Sequence, residues 1–390
     1  MPTFKPKTLW EAAPHKRAKL DIVSGYLYPW FEIFGRTEGI TRVVYIDGFA
    51  GPGEYTNIPN GSPVAALNEA KRVLSNPAST LRNKELRFYF IEKEKWAVGH
   101  LRKKLNSLKF PPQIRWEIHH GRFEAEIGGI LAHIRQGHQG PVPVFCFIDP
   151  FGATGLPFQS VREILASDRC EVLINLDSDG IGRLMEADKI QKDIDHLNRI
   201  FGDTNWRSEI GQGLAMQQLC AAVLTAYKRR LRALANVRYV FAFAMNDKPG
   251  SLNYHLVFAG QHPKGLEKMK EAMMRIDQTG TYSFADDTVG PDLFRFNFKD
   301  PTTSAQGMHK KFLGQTLSCT EVCDYVLNET PYVSPSEILK WLQARDQVEV
   351  QWKGQPSTHG FPKDKIAAVC FKTPAPQKPG DQLDLFTSIW

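Results

Sequence analysis

Five short apolar runs, separated by stretches with helical spacing, constrain the fold of this 390-residue chain more than any other feature. The runs cover residues 43–47, 88–92, 116–119, 144–149 and 171–176. They are continuous rather than alternating, which is typical of strands that are buried on both faces. The intervals have helical patterns, such as the stretch 63–74, where Pro63 suits the first turn of a helix. Strand and helix in alternation predict an open, mostly parallel α/β sheet.

Two further apolar runs, 238–245 and 254–259, follow a long helical stretch that we interpret as an insertion at about 185–235. The eight residues between these runs are too few for a crossover helix, so the runs should pair as an antiparallel hairpin. A dinucleotide-binding sheet that is parallel throughout has no such hairpin, whereas a Rossmann-like methyltransferase sheet has an antiparallel seventh strand. We therefore predict this α/β fold class for residues 41–300, preceded by an N-terminal helical segment, 1–40.

The C-terminal part of the chain has a different pattern. A helix is predicted over 307–328, a second over 335–344, and two strands over 348–352 and 367–371. Helix, helix and hairpin in this order are typical of a winged-helix module, which we place at 305–372. A Pro-rich extended tail, 373–390, is expected after it.

Composition narrows the class of protein. Lys and Arg number 49 against 42 Asp and Glu, and the resulting net charge of +7 favours an anionic partner such as nucleic acid. The six cysteines form no C-x-x-C pair, so neither a disulfide scaffold nor a metal site is expected. No stretch approaches the ~18 apolar residues of a membrane span, and the N-terminus lacks a signal-peptide pattern. A cytoplasmic protein without a membrane partner is therefore expected.

A glycine-rich turn follows the first strand directly, and an acidic residue ends the second. Such glycines let the backbone approach a ligand closely, and an acid in this place can accept hydrogen bonds from ribose hydroxyls. The alternative is a plain tight turn. We predict an adenosyl-type cofactor site formed by Asp47, Gly48, Phe49, Ala50, Gly51, Gly53 and Glu92.

The fourth strand ends in an Asp-Pro-Phe-Gly sequence, which we predict to be catalytic: Asp149, Pro150, Phe151 and Gly152. Pro150 restricts the conformation of the residue before it, so the carboxylate has a fixed direction in which to accept from an amino group. Phe151 offers a stacking face. The alternative is a turn that merely ends a strand, with Phe151 in the core.

A group of basic residues precedes the sheet. His15, Lys16 and Lys19 lie within five positions of one another, ahead of the first strand. We expect them at the crevice, in contact with substrate or phosphate.

These motifs together resemble the three-Cys-motif partner protein family (TcmP) over about residues 15–330. The resemblance is carried by the segments 45–55, 61–63, 90–92, 147–152 and 171–175, with 15–20 and 254–258. It implies a partner, a three-Cys-motif protein encoded nearby that is itself similar to radical-adenosylmethionine enzymes. The first and fourth motifs are more distantly similar to amino-directed nucleic-acid methyltransferases, which implies S-adenosylmethionine as cofactor and a base amino group of DNA or RNA as substrate.

Three departures from the methyltransferase pattern keep a rival hypothesis open. The stacking ring, Phe151, comes one place early; residues 55–61 separate the glycine turn from the next helix; and Gly121-Arg122-Phe123 follows the third strand where an adenine-binding acid or amide is common. The rival is a catalytically silent specificity subunit that keeps the fold. A third hypothesis is a nuclease or nucleotide-processing enzyme of mobile-element or phage defence. The sequence offers no metal-carboxylate cluster for such an activity.

Overall fold

The computed structural model describes residues 9, 11–136, 140–167, 169–186, 191–246, 254–277, 283–285, 300–357 and 360–373, with the side chains of 154, 246 and 283–285 left aside. The predicted tail, 373–390, lies outside this part of the chain apart from its first residue. Two compact units are present, Met1–Phe296 and Asn297–Trp390.

The first unit is built on one sheet with the strand order β3-β2-β1-β4-β5-β7-β6-β8. Strands β1 to β5 are parallel, while β7 runs antiparallel to both β5 and β6. This order, with a reversed strand inserted between the fifth and sixth, is that of a Rossmann-like methyltransferase sheet, and it confirms the predicted fold class. The short eighth strand, parallel to β6, was not predicted. The strands are β1 (Arg42–Asp47), β2 (Glu85–Glu92), β3 (Ile114–His120), β4 (Val144–Ile148), β5 (Cys170–Leu176), β6 (Tyr239–Asn246), β7 (Tyr254–Gly260) and β8 (Ser283–Ala285).

Helices connect the strands and cover the sheet. Among the described residues, none of them combines the length and apolar character that a bilayer crossing needs. The helices of the first unit are α1 (Pro14–Arg36), α2 (Ser62–Ser75), α3 (Lys95–Asn106), α4 (Phe123–Arg135), α5 (Phe158–Leu165), α6 (Ser178–Glu186), α7 (Gln191–Phe201), α8 (Trp206–Glu209), α9 (Met216–Leu234) and α10 (Pro263–Ile276). The region interpreted as a helical insertion forms α7, α8 and α9, whose apolar side chains join the main core.

Strands β1, β2, β4 and β5 are buried on both faces, as their continuous apolar runs predict. The prediction is wrong for the run 116–119, because β3 lies at the edge of the sheet and only Ile114 in it is buried. Successive residues of a strand point to opposite faces. On one face Phe145 of β4 packs against Tyr26 of α1, with ring centroids 4.9 Å apart. Its neighbour Cys146 belongs to the core cluster that includes Val161 of α5 and Val223 of α9. A helix layer therefore lies on each side of the sheet.

Helix α1 is anchored to the sheet by a buried carboxyl group. The Tyr26 hydroxyl and the Trp30 indole N–H both donate to Oε2 of Glu171 on β5, at 2.5 and 2.7 Å. Burial raises the pKa of Glu171 to about 7, against the effect of these two hydrogen bonds. Because α1 is held at these residues, its N-terminal turns have a fixed place relative to the strands.

The second unit has its own core and a three-stranded antiparallel sheet with the order β10-β11-β9. The single helix predicted over 307–328 is wrong. Instead, a first helix ends at Phe312 and Gly314 takes a φ of +74°. A short strand that pairs with β11 follows, and Ser318 then caps the next helix. The winged-helix assignment stays a prediction. The elements are α11 (Thr302–Phe312), β9 (Thr316–Ser318), α12 (Cys319–Glu329), α13 (Ser336–Gln343), β10 (Val348–Trp352) and β11 (Ile366–Phe371).

Candidate functional site

The glycine-rich turn after β1 is fixed by hydrogen bonds to the two neighbouring strands. The Gly48 N–H donates to the carbonyl oxygen of Phe147 on β4, and the Ala50 N–H to that of Ile91 on β2. Gly51 and Gly53 have φ values of +59° and +83°, in the region that favours glycine. The turn therefore lies across the carboxyl ends of three strands, where α/β sheets bind their ligands.

Residues 54–60, which separate this turn from α2, form an excursion that closes at its base. The Gly61 N–H donates to the carbonyl oxygen of Gly53 at 2.7 Å, and the Tyr55 N–H to that of Ile58 at 2.8 Å. A Cβ on Gly61 would lie 2.9 Å from the carbonyl carbon of Gly53, so the close approach needs glycine. Helix α2 thus begins directly beside the turn, and strand, turn and helix keep their spatial order.

Glu92, at the end of β2, is buried and supports the turn. Its Oε2 accepts the Gly51 N–H at 2.8 Å, and its Oε1 accepts the Glu94 N–H at 2.7 Å. A carboxylate oxygen has two lone pairs, so each can accept a further hydrogen bond from a ligand hydroxyl. Glu92 therefore combines a structural role with capacity for a ligand.

Asp47, at the end of β1, is fully buried, and its two carboxylate oxygens differ in their hydrogen bonding. Oδ1 accepts the Phe49 N–H at 3.2 Å, whereas Oδ2 has no hydrogen-bond partner among the described residues. Burial raises the pKa of Asp47 to about 7, opposed by the Ser62 hydroxyl and the Phe49 N–H and reinforced by the charge of Asp149. A buried acceptor without a partner is uncommon and indicates an unfilled binding role.

Asp149, after β4, is held by two donors from other elements. Its Oδ1 accepts from Nζ of Lys19 on α1 and from Nδ2 of Asn175 on β5, each at 2.7 Å. Lys19 is only 5% exposed, and its Nζ also lies 5.1 Å from the ring centroid of Tyr254. Lys19, predicted to contact substrate or phosphate, is thus engaged with the predicted catalytic carboxylate.

Phe151 does not lie in the core, contrary to the alternative weighed above. It is 60% exposed, and Nζ of Lys16 lies 5.4 Å from its ring centroid. The following residue, Gly152, has a φ of +76°, which lets the chain turn sharply after the ring. The exposed ring offers a face to a planar ligand.

Two cavities lie along the carboxyl ends of the strands. The β1–β3 cavity, about 230 Å³, is lined by residues that include Gly48, Phe49, Ile91, Glu92, Gly121, Arg122, Phe123, Glu124, Phe151 and Arg199. The β4–β5 cavity, about 460 Å³, is lined by residues that include His15, Lys16, Lys19, Phe49, Ala50, Gly51, Tyr55, Ser62, Asp149, Pro150, Phe151, Gly152, Asn175, Asp177, Asp179, Arg183 and Tyr254. Phe49 and Phe151 line both, so the two cavities adjoin.

Most of the residues predicted from the sequence come together at these cavities. The basic group of α1 and the Asp-Pro-Phe-Gly sequence meet in the β4–β5 cavity. Asp47 and Gly53 line neither cavity, and Asp47 has no exposed surface. A Cβ on Gly53 would collide with Leu101 at 2.6 Å, so the role of Gly53 is in packing. Glu124, in the first turn of α4 after β3, is paired with Arg199.

Asn175 and Tyr254 were missed as site residues. Asn175 is a polar residue near the carboxyl end of β5, a position whose significance the sequence pattern could have signalled. Tyr254 begins β7, which runs in the opposite direction, so its N-terminal end reaches the same edge of the sheet. Its place at the site depends on the reversed direction of β7, and no feature of the neighbouring sequence indicates it. In the described part of the chain, no group of three His, Cys, Asp or Glu residues could hold a metal ion.

Likeness to known proteins is found among solved structures. No family model and no curated protein matches the chain. Solved structures similar to it include Trm1 from Pyrococcus horikoshii with S-adenosyl-L-methionine, at 10% identity, TM-score 0.34, and coverage of 71% of this chain and 64% of that one. The chain thus spans less than two thirds of Trm1.

Two further structures are similar at the same level. The O-methyltransferase TomG from Streptomyces achromogenes, in complex with SAM, is 13% identical with a TM-score of 0.30, over 61% of this chain and 79% of that one. A DUF574 family protein from Streptomyces avermitilis is 12% identical with a TM-score of 0.32, over 64% and 88%. At these values the likenesses do not bear on activity, and the fold class rests on the strand order of the sheet.

Proposed function

We propose that the protein is an S-adenosylmethionine-dependent methyltransferase that acts on a base amino group of nucleic acid. The observation that carries the proposal is the pair of adjoining cavities, which share Phe49 and Phe151 as lining residues. Methyl transfer requires a donor and an acceptor in contact and in line, and needs positioning more than a strong base. One cavity for the nucleoside of the donor and one for the amine meet this requirement.

The residues of the glycine turn fit the cofactor. Oδ2 of Asp47, buried without a partner, suits an ammonium group, and Glu92 has lone pairs for ribose hydroxyls. A Cβ on Gly51 would meet no atom within 4 Å, so there is open space beside the turn for a ligand. When bound, S-adenosylmethionine would supply a methyl group activated by its sulfonium.

The β4–β5 cavity fits the acceptor. Asp149 would accept a hydrogen bond from the target amine, and the exposed ring of Phe151 would stack on the base. A base inside a duplex would have to be flipped out to reach this position, whereas a single strand could enter directly. The net charge of +7 supports an anionic polymer as the substrate.

The partner and cellular setting belong to the same proposal. The resemblance in the segments quoted above supports a three-Cys-motif protein as partner, in the cytoplasm. The second unit, Asn297–Trp390, has a core of its own and would supply a nucleic-acid or partner surface.

Calorimetric titration with S-adenosylmethionine and S-adenosylhomocysteine tests the proposal first. Binding of both is expected, followed by transfer of a radiolabelled methyl group to single-stranded DNA or RNA. S-adenosylmethionine that gives no heat and does not raise the unfolding temperature would overturn the proposal.

A second candidate is a catalytically silent specificity subunit. One observation favours it: Nζ of Lys19, an amine of the chain itself, already donates a hydrogen bond to Oδ1 of Asp149, the atom type that a target amine would need. Cofactor binding without transfer to DNA, RNA or the partner complex would favour this candidate over the enzyme.

A further inference from the structure

We infer that Lys19 is the specificity-determining residue of the amine site, and that it restricts this site to uncharged amino groups such as those of nucleobases. Alkylammonium groups, such as lysine side chains and polyamines, would be rejected. The inference rests on the proposed function for the identity of the site, but its physical basis is the charge arrangement of the β4–β5 cavity.

Lys19 occupies a position that is suited to an ammonium ion. Its Nζ lies 2.7 Å from the Asp149 carboxylate on one side and 5.1 Å from the Tyr254 ring centroid on another. Its side chain is 6% exposed. A carboxylate and an aromatic face are the two groups that most often recognise ammonium ligands in proteins. The chain therefore fills its own cation site.

The other charged groups of the cavity leave no net attraction for a second cation. Three cationic side chains (Lys16, Lys19, Arg183) face three carboxylates (Asp149, Asp177, Asp179), and His15 is the remaining titratable group of α1 at the cavity. Arg183 is paired with Asp179 at 2.6 Å. Burial lowers the pKa of Lys16, and the charge of Lys19 lowers it further, against the attraction of Asp149. A substrate cation near Asp149 would meet the same repulsion.

The acceptors that remain suit a neutral amino group. Asp149 uses Oδ1 for Lys19 and Asn175, and its Oδ2 has no hydrogen-bond partner within the described ranges. Asn175 is 9% exposed and donates through Nδ2, while its Oδ1 is buried without a hydrogen-bond partner. One carboxylate oxygen and one amide oxygen together complement the two N–H groups of an unsubstituted –NH₂.

Removing the ammonium of Lys19 tests the inference directly. The substitution Lys19→Ala leaves a carboxylate, an aromatic ring and a space of the size of the lost side chain. We expect n-propylammonium to bind this variant at least about tenfold more tightly than it binds the wild type, the lower end for a charge-assisted hydrogen bond. Neutral n-propanol, of the same size, can fill the same space without a charge, so it should gain less affinity from the substitution than n-propylammonium does. Titrations followed by the unfolding temperature and by calorimetry give the two ratios.

The control variant is Lys71→Met on α2, whose Nζ donates to a carbonyl oxygen at an exposed place. Its n-propylammonium affinity should equal that of the wild type. If Lys19→Ala does not fold, Lys19→Gln keeps a donor for Asp149, and methylammonium takes the place of n-propylammonium. Equal alkylammonium affinity in wild type and variants would overturn the inference.

This result is separable from the proposed function. A protein that fails to bind S-adenosylmethionine would overturn the proposed function, while the n-propylammonium ratio would still report on Lys19. A variant that transfers to an adenine-containing single strand at the wild-type rate and remains inactive toward polylysine would also contradict the role of Lys19.

Discussion

The β1–β3 cavity and the β4–β5 cavity share an edge of the sheet but are constructed differently. The first is lined by the turns that directly follow β1, β2 and β3 and by side chains of α7, and its buried carboxylate, Glu92, is held by two backbone N–H groups. The second is shaped by charged and aromatic side chains from α1, β4, β5, α6 and β7. Backbone geometry changes little with single substitutions, whereas a charge arrangement can be altered by one.

The difference assigns separate tasks to the two cavities. A cavity whose carboxylate is held by backbone groups suits a ligand that is always the same, such as a cofactor. A side-chain-lined cavity suits a substrate that must be distinguished from others of similar size, because specificity is a difference between affinities and often requires a repulsive group. Substitutions in the two cavities should therefore affect different measurements: transfer in the second and donor affinity in the first.

The largest effect is expected from Asp149→Asn. An amide presents a donor where the target amine needs an acceptor, so methyl transfer should fall at least about a hundredfold, the lower end for loss of a positioned polar group. Donor affinity should change little. The sequence alone predicts that this variant keeps its stability, but the structure predicts a loss, because the buried Lys19 ammonium would lose its carboxylate, at about 1–3 kcal/mol.

The double variant Asp149→Asn with Lys19→Met separates the two consequences. It removes the unpaired ammonium together with the carboxylate, so stability should recover while transfer stays lost. Denaturant unfolding and a radiolabel transfer assay measure them independently. Transfer at the wild-type rate by either variant would mean that the role of Asp149 is structural.

The next largest effect is expected from Glu92→Gln in the first cavity. One carboxylate oxygen becomes an NH₂ group, which can accept neither the backbone N–H of Gly51 or Glu94 nor a ribose hydroxyl, so S-adenosylmethionine affinity should fall about tenfold. Calorimetry measures this, with the half-exposed Glu117→Gln on β3 as control. If Glu92→Gln instead lowers transfer at saturating donor and leaves affinity unchanged, the division of tasks between the cavities is wrong.

A smaller effect, of up to about tenfold, concerns pH and Asp47. Its pKa of about 7 means that the free protein holds a proton there below neutrality, and an ammonium ligand favours the ionised form. S-adenosylmethionine should therefore bind more tightly at pH 8 than at pH 6 and release a proton. The same raised pKa makes the free protein lose stability as pH rises from about 4 through about 7. Asp47→Asn should remove the dependence of binding and reduce that of stability, because Glu171, whose pKa is also raised to about 7, contributes the same trend. Titrations in buffers of different ionisation enthalpy count the protons.

The parts of the molecule that follow from consecutive residues were predictable. The mostly parallel sheet follows from the continuous apolar runs, its antiparallel hairpin from one connection too short for a crossover, and the glycine turn from its own sequence. The three-residue strand β8 and the break of the predicted helix at Gly314 were missed, because such short elements depend on a neighbouring strand for their hydrogen bonds.

Side-chain burial over long sequence distances was not predictable. Lys19 and Asp149 lie 130 positions apart, and nothing local distinguishes Lys19 from an exposed cation. Arg230 is a parallel case: it belongs to a basic cluster on α9, yet it is 2% exposed and pairs with Asp203 and Glu209. The β4–β5 cavity consists of such contacts, so the sequence predicted its carboxylate and ring but not its charge balance.

The smallest effect is expected from removing residues 297–390, and it tests whether the two cavities are complete without the second unit. The lining residues identified for both cavities lie between His15 and Tyr254, and the first unit has its own core. A unit with its own core can fold by itself, so the truncated protein should keep a cooperative thermal transition. Its S-adenosylmethionine affinity should stay within about twofold of the full chain, well below the 1.4 kcal/mol that a tenfold change represents. Binding to a single-stranded oligonucleotide should weaken, which serves as the positive control that the second unit has been lost. A truncated protein that is insoluble would show that the two units do not fold independently. One that loses donor affinity as strongly as Glu92→Gln would show that the first unit does not hold the donor by itself, and the contrast between the two cavities would have to be abandoned.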